Sequence, residues 1–167
     1  IIKMCKKKNI NFVRRPKNLA KDNSSSADAT IHAGEWYKKN FSKPDAIILL
    51  QPTSPFRLKK TILKGINIFC KNKFMPVVSV TKLKHKVSNF YYSSGKFLKK
   101  YKEKNRKEVF FAPNGLLYII KFSDLKKNRN FLTYKILPLE VNSPKEILDI
   151  DDKRDFKLAK VLLKKNF

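Results

Sequence analysis

Long apolar runs are missing from this sequence: no stretch approaches the roughly 18 consecutive apolar residues of a membrane-spanning helix. The first residues also lack the apolar core and small-residue cleavage site of a secretory signal. A cytoplasmic protein is the default expectation. Cysteine is scarce too. Cys5 and Cys70 have neither metal-ligand spacing nor a histidine cluster beside them, which argues against a zinc site and a disulfide framework and leaves two small core residues in a reducing compartment. The two histidines, His32 and His85, form no Ser-His-Asp or Cys-His order, and His32 lies on the apolar side of its segment, as a core histidine does. Only four glycines are present, Gly34, Gly65, Gly95 and Gly115, so no glycine-rich phosphate loop can be built from them.

Acidic residues are the remaining scarcity, 13 against 39 basic ones, for a formal net charge of +26. Charge of that size suggests a polyanionic partner. The composition of the charge argues otherwise, because 33 of the 39 cations are Lys and only 6 are Arg, and they are spread along the chain. Readers of phosphates and bases favour the bidentate Arg fork gathered in one stripe. Lys, Asn, Ile and Phe are abundant together, a bias expected of AT-rich codons, and compositional drift is the preferred account.

With 167 residues and 42% apolar residues, the chain has enough material for one domain with an ordinary core. Short apolar, largely β-branched runs at 11–14 (NFVR), 46–50 (AIILL), 77–81 (VVSVT) and 116–121 (LLYIIK) have the length of buried strands. Between them, 25–40 and 59–71 place apolar residues at steps of three and four, which predicts helices. A short helix near 122–128, a strand at 133–137 and a closing helix over about 153–165 complete the pattern. Alternation of strand and helix predicts an α/β protein with a mostly parallel sheet covered by helices. From 82 to 111 the order loosens, and a hairpin around Ser93, Ser94 and Gly95 is expected to project there. The chain opens on Ile1 inside a basic segment, IIKMCKKKN, with the character of a helix end, and is read as lacking its N-terminus.

Four stretches carry potential chemistry. In LLQPTSPFR (49–57) a buried strand runs into two prolines that stiffen the backbone, with Gln51, Thr53, Ser54 and Arg57 between and after them. Ligands of open α/β sheets bind just beyond such strand ends; the plainer alternative is a rigid connection that caps the next helix. In LDIDDKRDF (148–156), Asp149 and Asp151 are two apart, so an extended backbone sends both carboxylates to one face, within reach of a single hard cation such as Mg²⁺. Here the alternative is helix capping by Asp151 or Asp152, with Asp155 in the first turn. RRPKNLAKDNSSSAD (14–28) offers donors to a nucleotide or is a polar turn with Ser24 or Ser25 as cap, and PNGLLYI (113–119) reads as a turn entering a buried strand.

Taken in order, RP-x-x-LA-x-D with its serine run, LLQPTSPFR, SVT-x-x-x-H, PNG-x-x-YI and DIDD-x-x-D resemble the acylneuraminate cytidylyltransferases nearly from end to end. QPTSPFR is the most specific element, and DID before a terminal helix the next. The resemblance implies a Rossmann-like nucleotide-diphospho-sugar transferase fold. It also implies a homodimer in which a small excursion, here 82–111, reaches over the partner's active site. The implied reaction is attack by the anomeric hydroxyl of an acidic nine-carbon sugar on the α-phosphorus of CTP, releasing pyrophosphate, with Mg²⁺ as cofactor. CMP-sugars of this kind feed lipopolysaccharide or capsule assembly. Carried over by motif, Asp149 and Asp151 hold the metal, Gln51 bonds the sugar, Arg15 and Ser26 contact the nucleotide, and Asn114 and Ser54 shape the sugar pocket.

Two departures accompany the resemblance. The family's Pro-Ala-Arg-Gly-Gly-Ser-Lys type of phosphate loop has no counterpart, which implies that this stretch alone neither binds CTP well nor turns over. Position 112 is Ala where many relatives carry Arg before Pro-Asn-Gly, so Arg106 or a nearby Lys is expected to meet the sugar carboxylate. A cytidylyltransferase for legionaminic, pseudaminic or an eight-carbon keto-deoxy acid stays open as the alternative. From another class, so does a basic nucleic-acid-binding protein.

Overall fold

The computed structural model describes residues 2–21, 24–83, 90–94, 96–101 and 109–164. Its centre is a four-stranded sheet in the order β1 (Ala46–Leu49), β5 (Phe111–Lys121), β2 (Val77–Lys82), β6 (Leu137–Glu140). β5 runs antiparallel to both β1 and β2, whereas β2 and β6 pair in parallel. Three strands therefore share one direction and the sheet is mixed, with the reversed strand in its interior.

The strands read as near-continuous apolar runs because both faces of the sheet are covered. On one face α3 (Lys59–Lys71) packs Ile62, Ile66 and Phe69 onto Val77, Leu117, Ile119 and Leu139. On the other, α2 (Ser26–Asn40) and α4 (Phe122–Asn128) bring Ala27, Ile31 and Leu125 against Ile47, Leu49, Tyr118 and Ile120. Both contacts depend on glycine at a helix surface. A Cβ on Gly65 would lie 2.4 Å from Leu117 Cδ2, and one on Gly34 2.4 Å from the Phe122 ring. α2 starts where Ser25 Oγ accepts the Asp28 N–H at 3.0 Å, an ordinary serine cap.

Elsewhere the observed elements depart from the expected ones. Residues 11–14 form no strand: no neighbouring segment among the described residues offers hydrogen bonds, and Ile10 and Phe12 are exposed. The segment 2–7 is a helix, α1 (Ile2–Lys7). β6 begins at Leu137, later than expected, because its ladder with β2 starts where Val77 faces Leu137; the side chain of Tyr134 lies in solvent. Cys70 is exposed and Cys5 half-buried, so neither is a core residue; Cys70 follows the inward-facing Phe69 by one position, about 100° around the helix. Strands β3 (Tyr91–Ser94) and β4 (Phe97–Lys100) form an antiparallel hairpin apart from the main sheet, at the place expected of the excursion. Gly95, His85 and Arg106 lie outside the described residues. α5 (Lys153–Lys164) closes the chain, and no helix among the described residues is long and apolar enough to cross a membrane.

Candidate active site

Pro113-Asn114-Gly115 is not a turn ahead of a strand but part of β5 itself. Val78 pairs with Tyr118 and Val80 with Pro113, so the single residue Ser79 on β2 faces four on β5, Asn114 to Leu117. The extra residues make a wide bulge, and bulges re-aim side chains where a ladder is broken. Two side chains, one buried and one half-buried, repair the break. Ser79 Oγ, with no exposed surface, accepts the Leu117 N–H at 2.8 Å. Asn114 donates from Nδ2 to Thr81 Oγ1 at 3.1 Å, while its Oδ1 accepts the Leu116 N–H at 3.4 Å. Asn114 thus holds the bulge in shape from within.

The bulge is the floor of a small polar convergence. Gly115 has φ +75°, and a Cβ there would lie 2.7 Å from Asp149 Oδ2 and 2.8 Å from Gln51 Oε1. Gln51 and Asp149, 98 positions apart in sequence, therefore meet over the one residue that has no side chain. A backbone bond fixes the approach: the Ile150 N–H donates to the Thr53 carbonyl at 2.9 Å, pinning the DID segment to the QPTSPFR turn. At its far end that turn is held by Glu146, nearly buried, whose Oε1 accepts the Leu58 N–H at 3.1 Å where α3 begins.

Two buried polar atoms here lack a partner among the described residues: Asp149 Oδ1 and Ser54 Oγ. A buried carboxylate oxygen with nothing to accept from is costly unless a ligand supplies the missing charge or donor. Asp149 is also felt by its neighbours. Burial pushes the Tyr118 phenol above its ordinary range and the charge of Asp149 adds to the rise; burial lowers Arg57, and Asp149 offsets part of that.

The acidic cluster near the C-terminus divides by role. Asp152 Oδ1 accepts the Arg154 and Asp155 N–H groups at 2.6 and 3.0 Å, and Asp155 Oδ2 reaches back to the Asp151 and Asp152 N–H groups at 3.1 and 3.0 Å. Capping of α5 is thereby done by Asp152 and Asp155 reciprocally. Asp149 and Asp151 are left over, and the exposed Asp151 carboxylate accepts no hydrogen bond from the described residues. Among the described residues no group of three or more His, Cys, Asp or Glu is placed to hold a metal, so any ion here would rest on one or two carboxylates and on its ligand.

Beside the convergence lies a cavity of about 330 Å³ walled by Ser25, Ser26, Gln51, Tyr118, Arg129 and Phe131, among others. The structure thus brings Ser26 and Gln51 to one cavity, and Asp149 to Gln51. Arg15 is not among the cavity walls; it sits in the exposed loop before α2 with no partner among the described residues. Ser54 is wholly buried behind the turn, its N–H donating to the Gln51 carbonyl at 3.3 Å. Tyr118, Phe131 and Gly115 escaped the sequence reading as site residues. The only signal was alternation in LLYII, which sends Tyr118 to the face opposite Leu117, and that pattern also describes any buried strand.

The fold is that of the nucleotide-diphospho-sugar transferases. A solved structure of 4-diphosphocytidyl-2C-methyl-D-erythritol synthase from Anaerococcus prevotii superimposes with a TM-score of 0.67 at 16% identity, covering 98% of this chain and 73% of that one. No family model matches the sequence. Among characterised proteins, an N-acylneuraminate cytidylyltransferase of Escherichia coli is 32% identical over 156 residues, 89% of this chain and 36% of the relative. A CMP-N,N'-diacetyllegionaminic acid synthase of Legionella pneumophila is 28% identical over 158 residues, 91% of this chain and 68% of the relative. The chain is thus similar to acylneuraminate-type cytidylyltransferases over most of its length. It spans about a third of the Escherichia coli relative's length and about two thirds of the Legionella relative's.

Proposed function

We propose that this chain supplies the sugar-recognising and metal-binding side of an enzyme that transfers CMP from CTP to an acidic nonulosonic sugar. The observation that carries the reading is the meeting of Asp149 and Gln51 over Gly115, with one buried oxygen of Asp149 unpartnered. The donor set suits Mg²⁺: a hard carboxylate oxygen lacking a partner among the described residues, and a second, exposed carboxylate two residues on at Asp151. When bound, Mg²⁺ would neutralise the phosphate oxygens and align the attacking hydroxyl with departing pyrophosphate. Gln51 presents its amide to the sugar, where neutral hydrogen bonding suits hydroxyls. Tyr118 and Phe131 give the cavity an apolar wall that excludes water from the reacting centre. Ser26, at the start of α2, adds an N-terminal helix end and a hydroxyl for the nucleotide. The sugar oxygen forms its bond to the α-phosphorus as the bond to pyrophosphate breaks, and the hydroxyl proton leaves to solvent or to a phosphate oxygen.

Both relatives' names contain an acidic sugar, and the two sugars differ; N-acylneuraminate and diacetyllegionaminic acid are therefore the leading substrates, ahead of pseudaminic and eight-carbon acids. The β3–β4 hairpin, with Phe97 and Leu98 exposed at 62% and 71%, supports a homodimer in which this element covers the partner. The test is pyrophosphate release by the protein as its gene encodes it, given CTP, Mg²⁺ and a panel of acidic sugars. Turnover should require both substrates, and Asp149→Asn and Asp151→Ala should each lower it about a hundredfold or more with the fold intact. Wild-type protein that yields no CMP-sugar, or carboxylate variants with unchanged kinetics, would sink the reading.

A further inference from the structure

Arg57 closes the QPTSPFR motif, and its side chain turns back into the protein. Its Nε donates to the Leu116 carbonyl at 2.7 Å, and its Nη2 donates to the carbonyl of Gln51. Leu116 belongs to the four-residue bulge of β5 that also contains Asn114 and Gly115. One planar guanidinium therefore spans the gap between the chain that carries Gln51 and the chain over which Gln51 meets Asp149. Both acceptors are neutral carbonyls, and the carboxylate whose charge Arg57 feels is that of Asp149. Lysine cannot reproduce this arrangement, since a point charge on a flexible stem has no fixed fork.

We propose that Arg57 is a positioning residue of the sugar site: its fork sets the separation between the Gln51 backbone and the β5 bulge, and so the placement of the Gln51 amide beside Asp149. The proposal rests on the function given above, and it assigns Arg57 an effect on the acidic sugar and not on the nucleotide. A displacement of about an ångström in such a group costs up to about a hundredfold in rate, so the consequence is measurable.

The test compares Arg57→Lys and Arg57→Gln, each alone and with Gln51→Ala, in the protein as its gene encodes it. Expected are a rise of about tenfold or more in KM for the acidic sugar, a KM for CTP within about twofold, and displacement of the Gln51 side-chain amide resonance. Lysine should fail to rescue. In the Gln51→Ala background the effect on sugar KM should vanish, because Arg57 acts through Gln51. Equal changes in both KM values, rescue by lysine, additivity with Gln51→Ala, or unfolding of both variants would assign Arg57 to the fold alone. Should the wild-type protein make no CMP-sugar, the function reading falls, and the Gln51 amide still decides whether Arg57 places it.

Discussion

At Gly115 the backbone occupies the left-handed region, φ +75°, and the space a methyl would take is already shared by Asp149 Oδ2 and Gln51 Oε1. Gly115→Ala therefore combines backbone strain with a collision against the two side chains of the proposed site. It should destabilise the protein by about 1–3 kcal/mol in a denaturant titration and abolish turnover even where folding is restored by cooling. Asp149→Asn asks a different question at the same point. Removing a buried charge that has no hydrogen-bond donor among the described residues should leave stability unchanged or raise it, and it should move Tyr118. The phenol sits high chiefly from burial and secondarily from the charge of Asp149, so the variant should lower its pKa part of the way toward the ordinary range. A tyrosine carbon-labelled NMR titration reads this directly, and an unmoved Tyr118 would mean that the two groups are not neighbours.

At the start of α5 one acidic cluster divides into residues that cap the helix and residues that do not. Asp152 and Asp155 complete the first turn of the helix, while Asp149 and Asp151 precede it. Hydrogen bonds from the Asp155 backbone, then from the side chain and backbone of Arg154, hold the Asp152 carboxyl below the usual aspartate range. A depressed folded-state value means that the contribution to stability is full above the unfolded value, about 3.9, and fades as pH falls through the lower one. Asp152→Ala should accordingly lower the unfolding midpoint at neutral pH and remove part of the acid sensitivity, with turnover retained. Asp151→Ala should instead lose turnover while the unfolding midpoint stays where it is. Thermal melts from pH 2 to 7, paired with activity at neutral pH, separate the two, and an inactive Asp152→Ala protein that is fully folded would break the division. The sequence alone left capping and metal binding open for these residues, since both want carboxylates at a helix start. Hydrogen-bond geometry assigns the capping to Asp152 and Asp155, and the metal role of Asp149 and Asp151 belongs to the proposal.

Over the whole molecule, the charge of +26 is the property most easily mistaken for function. The basic residues occupy many elements, from α1 through α3 and β4 to α5, and among the described residues the cavity by Gln51 has a single cation, Arg129, in its walls, itself paired with Asp28. Association with DNA or RNA should therefore be nonspecific and vanish near physiological salt. Filter binding across a salt series measures this; tight, sequence-selective retention at about 0.15 M salt would favour a nucleic-acid protein instead.

Periodicity alone placed α2, α3, α4, α5 and the strands β1, β2 and β5, because a sheet buried on both faces leaves apolar runs and the helices over it leave three-and-four spacing. Local pattern could not say which runs find a partner. Residues 11–14 look like a strand and have no neighbour to pair with, and β6 starts only where β2 meets it. The site was legible as two motifs, QPTSPFR and DID, each with a plainer alternative. Their meeting was not legible, since it depends on a four-residue bulge opposite Ser79, on one backbone bond from Ile150 to Thr53, and on the Arg57 fork. Chemistry of this kind is fixed by distances between segments far apart in the chain, and only tertiary packing sets those distances.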